Sequence, residues 1–330
     1  MIHVAHSSCS HTGLSDSEDK YQSLRTIRMD VRELAIGTAY LSQTIVGTLG
    51  NFSLLYHYTI LYFMGCRLRP TELILTHLFV ANSMVLLSRG IPQTMVSFGW
   101  KGFFNDFACK LFTYTSKVGR GVSLASTCLL SIFQATTIRP RNSRWAGLKG
   151  KTPKYIGPSI FMCWITQMLV NIIFPMFVIS KWNNTNITSR KDFGYCTSVR
   201  HDKTRDSLYA ALLFVPDVVC LGFMTLASGS MVFTLYRHKK QVRHIHRNTV
   251  SSSSSPESRA TKTILLLVST FVYFYTFSAI FHCYLALADK PNWWLVNTSA
   301  LIHGCFPTVS PFLLTSRVSS VCRLCFAWRR

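Results

Sequence analysis

Four charged side chains lie where hydropathy argues against charge. Lys117 and Arg120 fall inside the apolar stretch from Cys109 to Arg139, Arg89 inside the stretch before it, and Asp217 in a later one, next to Pro216. Lys117 and Arg120 are three residues apart, so on a helix they share a face. At 1.5 Å per residue they fall roughly 12 and 17 Å along from Cys109. Asp217 is about ten residues into its own stretch, a depth of roughly 15 Å, close to that of Arg120. Charge at the centre of a bilayer costs at least about 2.5–3.5 kcal/mol per residue and marks a functional candidate. Two compatible roles stay open for these groups. Arg120 and Asp217 neutralise each other across a bundle, or the cluster meets a ligand. With Asp217 committed to one cation, Lys117 and Arg89 leave positive charge in the interior. That charge favours an anionic or hydrogen-bond-accepting ligand, such as a sulfated or carboxylated small molecule. Arg89, Lys117, Arg120 and Asp217 are the candidate ligand-binding residues.

Other chemistry has little to stand on. The sequence contains no GxxxxGK[ST] and no HExxH, and no paired metal-ligand cysteines on the outer side. No catalytic set, metal centre or cofactor is expected. His57, His77, His282 and His303 lie on apolar stretches and read as packed histidines rather than ligands; His244 and His246 lie in a basic loop.

The elements that must position these groups are membrane helices. The chain has 330 residues, of which 48% are hydrophobic and 15% charged. A soluble protein of this length carries about 25% charged residues. Seven apolar stretches, at about 35–63, 72–97, 105–138, 155–180, 207–236, 260–287 and 292–316, are each long enough to span about 30 Å of hydrocarbon. The fold class is therefore an all-α membrane protein, a seven-helix transmembrane bundle. Residues 1–34 form a polar segment before it and 317–330 a short tail after it. Met29 opens MDVRELAIG just before the first span, so residues 1–28 read as an optional extension. The net charge of +22 raises nucleic acid as a partner. The cations lie between apolar spans, however, so membrane lipid is the expected partner and nucleic acid is not.

Orientation follows from those cations. The loops after spans 1, 3 and 5 and the tail are strongly basic, with Glu257 as their clear acid. The opposite loops carry Asp106, Asp192, Asp202, Asp206 and Asp289 against their cations. The positive-inside rule places the N-terminus outside and the C-terminus inside. Asn183-Asn184-Thr185 and Asn186-Ile187-Thr188 then fall in an outer loop as N-glycosylation sequons at Asn183 and Asn186. Cys109 and Cys196 share that oxidising side, which favours a disulfide over two separate thiols. Cys322 and Cys325, just past span 7, are candidates for palmitoylation, with free cytoplasmic thiols as the equal alternative.

Five blocks of sequence narrow the class. RPTELILTHLFVANSMVLLSRGIPQT (69–94), GVSLASTCLLSIFQATTIRPRNSRW (121–145), LGFMTLASGSMVFTLYRHK (221–239), SSPESRATKTILLLVSTFVYFYT (254–276) and PNWWLVNTSALIHGCFPTVSPF (291–312) resemble the vomeronasal type-1 receptor family, in order and over about Met29 to Trp328. That family belongs to the G-protein-coupled receptors. The resemblance implies a plasma-membrane receptor for a pheromone-like small-molecule chemosignal, acting through a heterotrimeric G protein of the Gi/Go class. It also implies that Gln134, Arg139, Arg237 and Lys239, at the inner ends of spans 3 and 5, face the G protein. Gln134 stands where rhodopsin-like receptors carry an Arg, and Asn82 where they carry an acid, so neither a charged lock nor a sodium site is expected. Within the family pattern, Lys117 stands where an Arg is expected, which offers a point charge in place of a planar fork. A bitter-type taste receptor and, more distantly, a small-molecule transporter are the alternative readings.

Overall fold

The computed structural model describes the backbone of residues 12–66, 68–100, 105–138, 146–172, 175, 178–180, 190–192, 196–199, 203–245, 256–287 and 292–328. Side chains are described within 31–66, 68–100, 105–138, 154–172, 175, 196, 215–237, 240, 261–281, 284 and 292–315. Those residues form seven long helices: α1 (Thr12–Phe63), α2 (Pro70–Ser97), α3 (Asp106–Ile138), α4 (Ala146–Asn171), α5 (Lys203–Ile245), α6 (Pro256–Leu287) and α7 (Trp293–Trp328). Three short strands, β1 (Val178–Ser180), β2 (Arg190–Asp192) and β3 (Cys196–Val199), lie between α4 and α5.

The helix ends follow local chemistry. Pro70 opens α2, where its missing N–H costs nothing, and the Glu72 carboxylate accepts from the Arg69 backbone N–H at 2.7 Å. At the start of α3 the Asn105 side chain accepts from the Ala108 backbone N–H at 2.8 Å, and Asp106 lies in the first turn. Gly99, at φ +87°, turns the chain out of α2 in a conformation that a side chain would strain.

Four described stretches are long and apolar enough to cross a membrane: Pro70–Ser97, Asp106–Ile138, Val215–Arg237 and Thr261–Phe281. The bundle is organised on α2 and α3. Leu78 and Phe79 of α2 and Leu124 and Leu130 of α3 are fully buried, against Ile264 and Leu267 of α6 and Leu314 of α7. In lipid, such packing is held by dispersion and close fit, since the tails are as apolar as leucine. Close fit is visible at Gly119. A Cβ there would lie 2.9 Å from the Ala81 carbonyl oxygen and 3.1 Å from the Met84 Cβ, so α3 passes α2 at backbone range.

Polar side chains stitch the helices. Asn51 of α1 donates to the Pro307 carbonyl of α7 at 2.8 Å. Pro311 lies four residues on and has no N–H to give that carbonyl, so Asn51 satisfies an acceptor that the proline leaves open. Asn82 of α2 donates to the Ser310 hydroxyl of α7 at 2.8 Å, and its oxygen accepts from Ser123 of α3 at 2.8 Å. Trp164 of α4 donates to His77 of α2 at 3.2 Å.

The structure differs from the sequence expectation at the edges of the spans. α1 starts at Thr12, well before residue 35, and α7 runs on to Trp328 through the expected tail. α4 ends at Asn171 and not near 180, where Val178–Ser180 is instead a strand. The loop expected only as polar holds a three-stranded antiparallel sheet in the order β1-β3-β2, with Ser180 opposite Cys196 and Asp192 opposite Thr197.

Candidate ligand-binding site

Cys109 sits on the first turns of α3 and Cys196 opens β3. They are joined in a disulfide with a Cα–Cα distance of 5.9 Å, and both are fully buried. The central strand of the sheet is thereby pinned to the head of the helix that carries Lys117 and Arg120.

Just under one helical turn along α3 from Lys117 lies the charge cluster. Arg120 of α3 meets Asp217 of α5, with Nη2 3.6 Å from Oδ2. Tyr275 of α6 donates its hydroxyl to the same carboxylate oxygen. The Arg120 guanidinium also lies over the Tyr275 ring, 4.7 Å from its centroid. Each side chain answers a need of another. The carboxylate offsets the guanidinium, the phenol fills a further carboxylate lone pair, and the ring face receives the cation. The result ties α3, α5 and α6 through three side chains. Both ionic partners are 22% exposed, and Arg120 and Tyr275 of the cluster line a cavity. Lys117 is half-buried within electrostatic range of Arg120, Arg89 and Asp217. Asp217 pairs with Arg120, and Lys117 lies within range of both charges.

A cavity of about 40 Å³ adjoins the cluster, bounded by α2, α3, α6 and α7. Arg120 and Ser123 line its α3 side. Phe271 and Tyr275 line the α6 side, and Ser278 with His303 close it toward α7. Phe271 and Phe306 meet edge-to-face with centroids 4.5 Å apart, giving the cavity an aromatic wall. Its volume holds a small number of waters, so a larger ligand requires side chains to move.

The structure therefore brings Arg120 and Asp217 together directly and sets Lys117 in their field, with Arg89 within electrostatic range of Lys117. Gln134 is buried at the foot of α3, so its side chain faces the bundle; its polar amide gave no hint of which face it occupies. Arg237 is exposed on α5. Asn183, Asn186 and Arg139 lie outside the described residues, as do the side chains of Lys239, Cys322 and Cys325. Sequence reasoning missed Tyr275, Ser278 and Ser123, and it treated His303 as packing. Tyr275 sits in the aromatic run FVYFYT, where nothing distinguishes it from its neighbours until α5 and α6 are in register. Asn82 proves to be an amide that bonds two hydroxyls, donating to Ser310 and accepting from Ser123.

Comparison with known proteins agrees with this architecture. Residues 34–327 match the vomeronasal organ pheromone receptor family. The chain is 55% identical over 302 residues to the human vomeronasal type-1 receptor 4, covering 92% of this chain and 100% of that one. It is 56% identical over 285 residues to the human vomeronasal type-1 receptor 2, covering 86% and 72%. Squid rhodopsin shares the fold with a TM-score of 0.67 at 16% identity, covering 91% of this chain and 82% of the rhodopsin. Neither the taste-receptor nor the transporter alternative accounts for these matches. The chain belongs to the vomeronasal type-1 receptor family: it is a non-enzymatic, multi-pass receptor of the plasma membrane with the fold of a G-protein-coupled receptor.

Proposed function

We propose that this receptor binds a small chemosignal in the cavity beside Arg120, Asp217 and Tyr275, and passes the signal to a heterotrimeric G protein of the Gi/Go class. The observation that carries the proposal is the three-helix charge cluster opening onto a cavity. A ligand acceptor or anion that approaches Arg120 competes with Asp217 for the guanidinium. Asp217 and Tyr275 are then released from one arrangement, and α5 and α6 are free to adopt another relative to α3. Signalling requires that the ligand favour the second arrangement over the first. The positive groups Lys117 and Arg89 near Arg120 support an anionic or acceptor-bearing ligand. Family membership supports the coupling to Gi/Go, with the basic inner loops and Arg237 as the contact region.

The test is expression of the full chain in reporter cells with a panel of sulfated, carboxylated and neutral volatile and non-volatile small molecules. Arg120→Gln and Lys117→Ala are expected to raise the effective concentration of anionic agonists at least tenfold at matched surface level, about 1.4 kcal/mol of lost interaction. Pertussis toxin is expected to abolish the response. A receptor whose anionic agonists act equally well on Lys117→Ala, Arg89→Ala and Arg120→Gln variants does not bind them here.

A further inference from the structure

We infer that Phe271 and Phe306 form a rigid aromatic floor that limits how deep a ligand body reaches, so that the receptor selects a compact apolar body over an extended one; this rests on the cavity being the ligand site proposed above. Phe271 of α6 and Phe306 of α7 both line the cavity, and each is 5% exposed. Phe271 lies four residues from Tyr275, about 6 Å along α6. α6 runs antiparallel to α3: Tyr275 meets Arg120, whereas Leu265 packs in one cluster with Ala135 and Ile138. The two phenyl rings therefore lie beyond Arg120, at the end of the cavity away from the Cys109–Cys196 disulfide.

The rings of this floor are braced on both sides. Phe271 meets Phe306 edge-to-face with centroids 4.5 Å apart, and it lies nearly parallel to the Tyr275 ring, at 5.7 Å and 18°. Tyr275 is itself fixed by Asp217 and by the Arg120 guanidinium. Both phenyl rings belong to the main apolar core, together with Leu267, Val268 and Leu314. A ring in such a place turns aside only by entering packed side chains, which a close-packed interior tolerates poorly. The lateral wall is looser, since Phe274 and Ile302 are only partly buried. The side chains that yield to admit a ligand are then those of the wall, and the floor keeps its depth. With an anionic group held at Arg120, that depth suits a compact ring system and stops an extended one. Truncating either phenyl ring leaves an apolar void, and such voids stay dry and take up apolar groups.

The experiment uses the full-length receptor in reporter cells, with the carboxylates of cyclohexane, decalin and perhydroanthracene, each substituted on an end ring. Wild type is expected to respond to the single-ring probe at the lowest concentration. Phe306→Ala and Phe271→Ala are each expected to lower the effective concentration of the perhydroanthracene probe, relative to the cyclohexane probe, about tenfold. Phe306→Leu and Phe271→Leu keep the core fuller and are expected to move the same ratio the same way by less; they carry the test where an alanine variant does not reach the surface. Phe79→Leu, in the same core but outside the cavity lining, controls for loosened packing and is expected to leave the ratio where it is. Surface level, read by an epitope tag, normalises every variant. A wild type that prefers the perhydroanthracene probe, or a ratio that moves as far in Phe79→Leu as in the floor variants, overturns the inference. If the carboxylates act equally well on Arg120→Gln, or activate neither wild type nor any floor variant, the cavity reading itself fails. If they need Arg120 but the ratio ignores Phe271 and Phe306, this inference alone fails.

Discussion

Asn82 shows how a single side chain holds three helices. It is fully buried, its amide nitrogen donates to Ser310 of α7, and its oxygen accepts from Ser123 of α3. Inside a membrane such bonds are worth on the order of 0.6–1.7 kcal/mol each. Asn82→Leu removes both, leaving the Ser123 hydroxyl without its acceptor and the Ser310 oxygen without its donor. An apparent stability loss of about 1–2 kcal/mol is expected, read as a lower Tm of the detergent-solubilised receptor. Asn82→Ser, which retains one donor and one acceptor, is expected to lose less. An unchanged Tm in Asn82→Leu means that the three-helix network carries no stability. Arg120 was legible at this scale, because an arginine in an apolar stretch stands out against its neighbours. Tyr275 was not, because its role depends on a carboxylate 58 residues away in sequence.

At the scale of elements, the contact between α2 and α3 rests on the absence of a side chain. Gly119→Ala would place a methyl group 2.9 Å from a backbone oxygen, which cannot rotate away. A loss of about 1–3 kcal/mol is expected from overpacking, seen as reduced surface level and reduced Tm. Gly229 and Gly157 have nothing within 4 Å of the equivalent position. Alanine there is expected to be neutral or to stabilise by up to about 1 kcal/mol through helix propensity. If all three substitutions behave alike, close approach is not what holds α2 to α3. The same scale explains the paired prolines of α7. Pro311 removes a backbone donor, and Asn51 from α1 supplies a replacement to the Pro307 carbonyl. A kink-prone helix is thereby fastened to its neighbour.

At the scale of the molecule, the fold persists against squid rhodopsin at 16% identity. Length, apolar packing and interhelical hydrogen bonds suffice to specify it, with few shared residues. The basic loops after spans 1, 3 and 5 argue for an outer N-terminus and an inner C-terminus. An epitope at the N-terminus is expected to bind antibody on intact cells, and one at the C-terminus only after permeabilisation. Glycosidase treatment should shift the wild-type band, and Asn183→Gln with Asn186→Gln together should remove that shift. Antibody binding at the C-terminus of intact cells would invert the whole arrangement, and with it the face offered to the G protein.

The sequence by itself determined the membrane class, the helix count and the family, because these rest on composition, stretch length and long linear blocks. It also marked Arg120 and Asp217 as a matched pair, since 1.5 Å per residue converts position into depth. It left open which helix faces meet. Only the tertiary structure set Tyr275 over Arg120 and against Asp217, brought Ser278 to His303, and turned Gln134 inward. It also formed the small sheet that carries Cys196, whose three strands are each too short to declare themselves in sequence. The physical reason is the same in each case. Depth along a helix is a local property of the chain, whereas rotation about its axis is fixed by its neighbours.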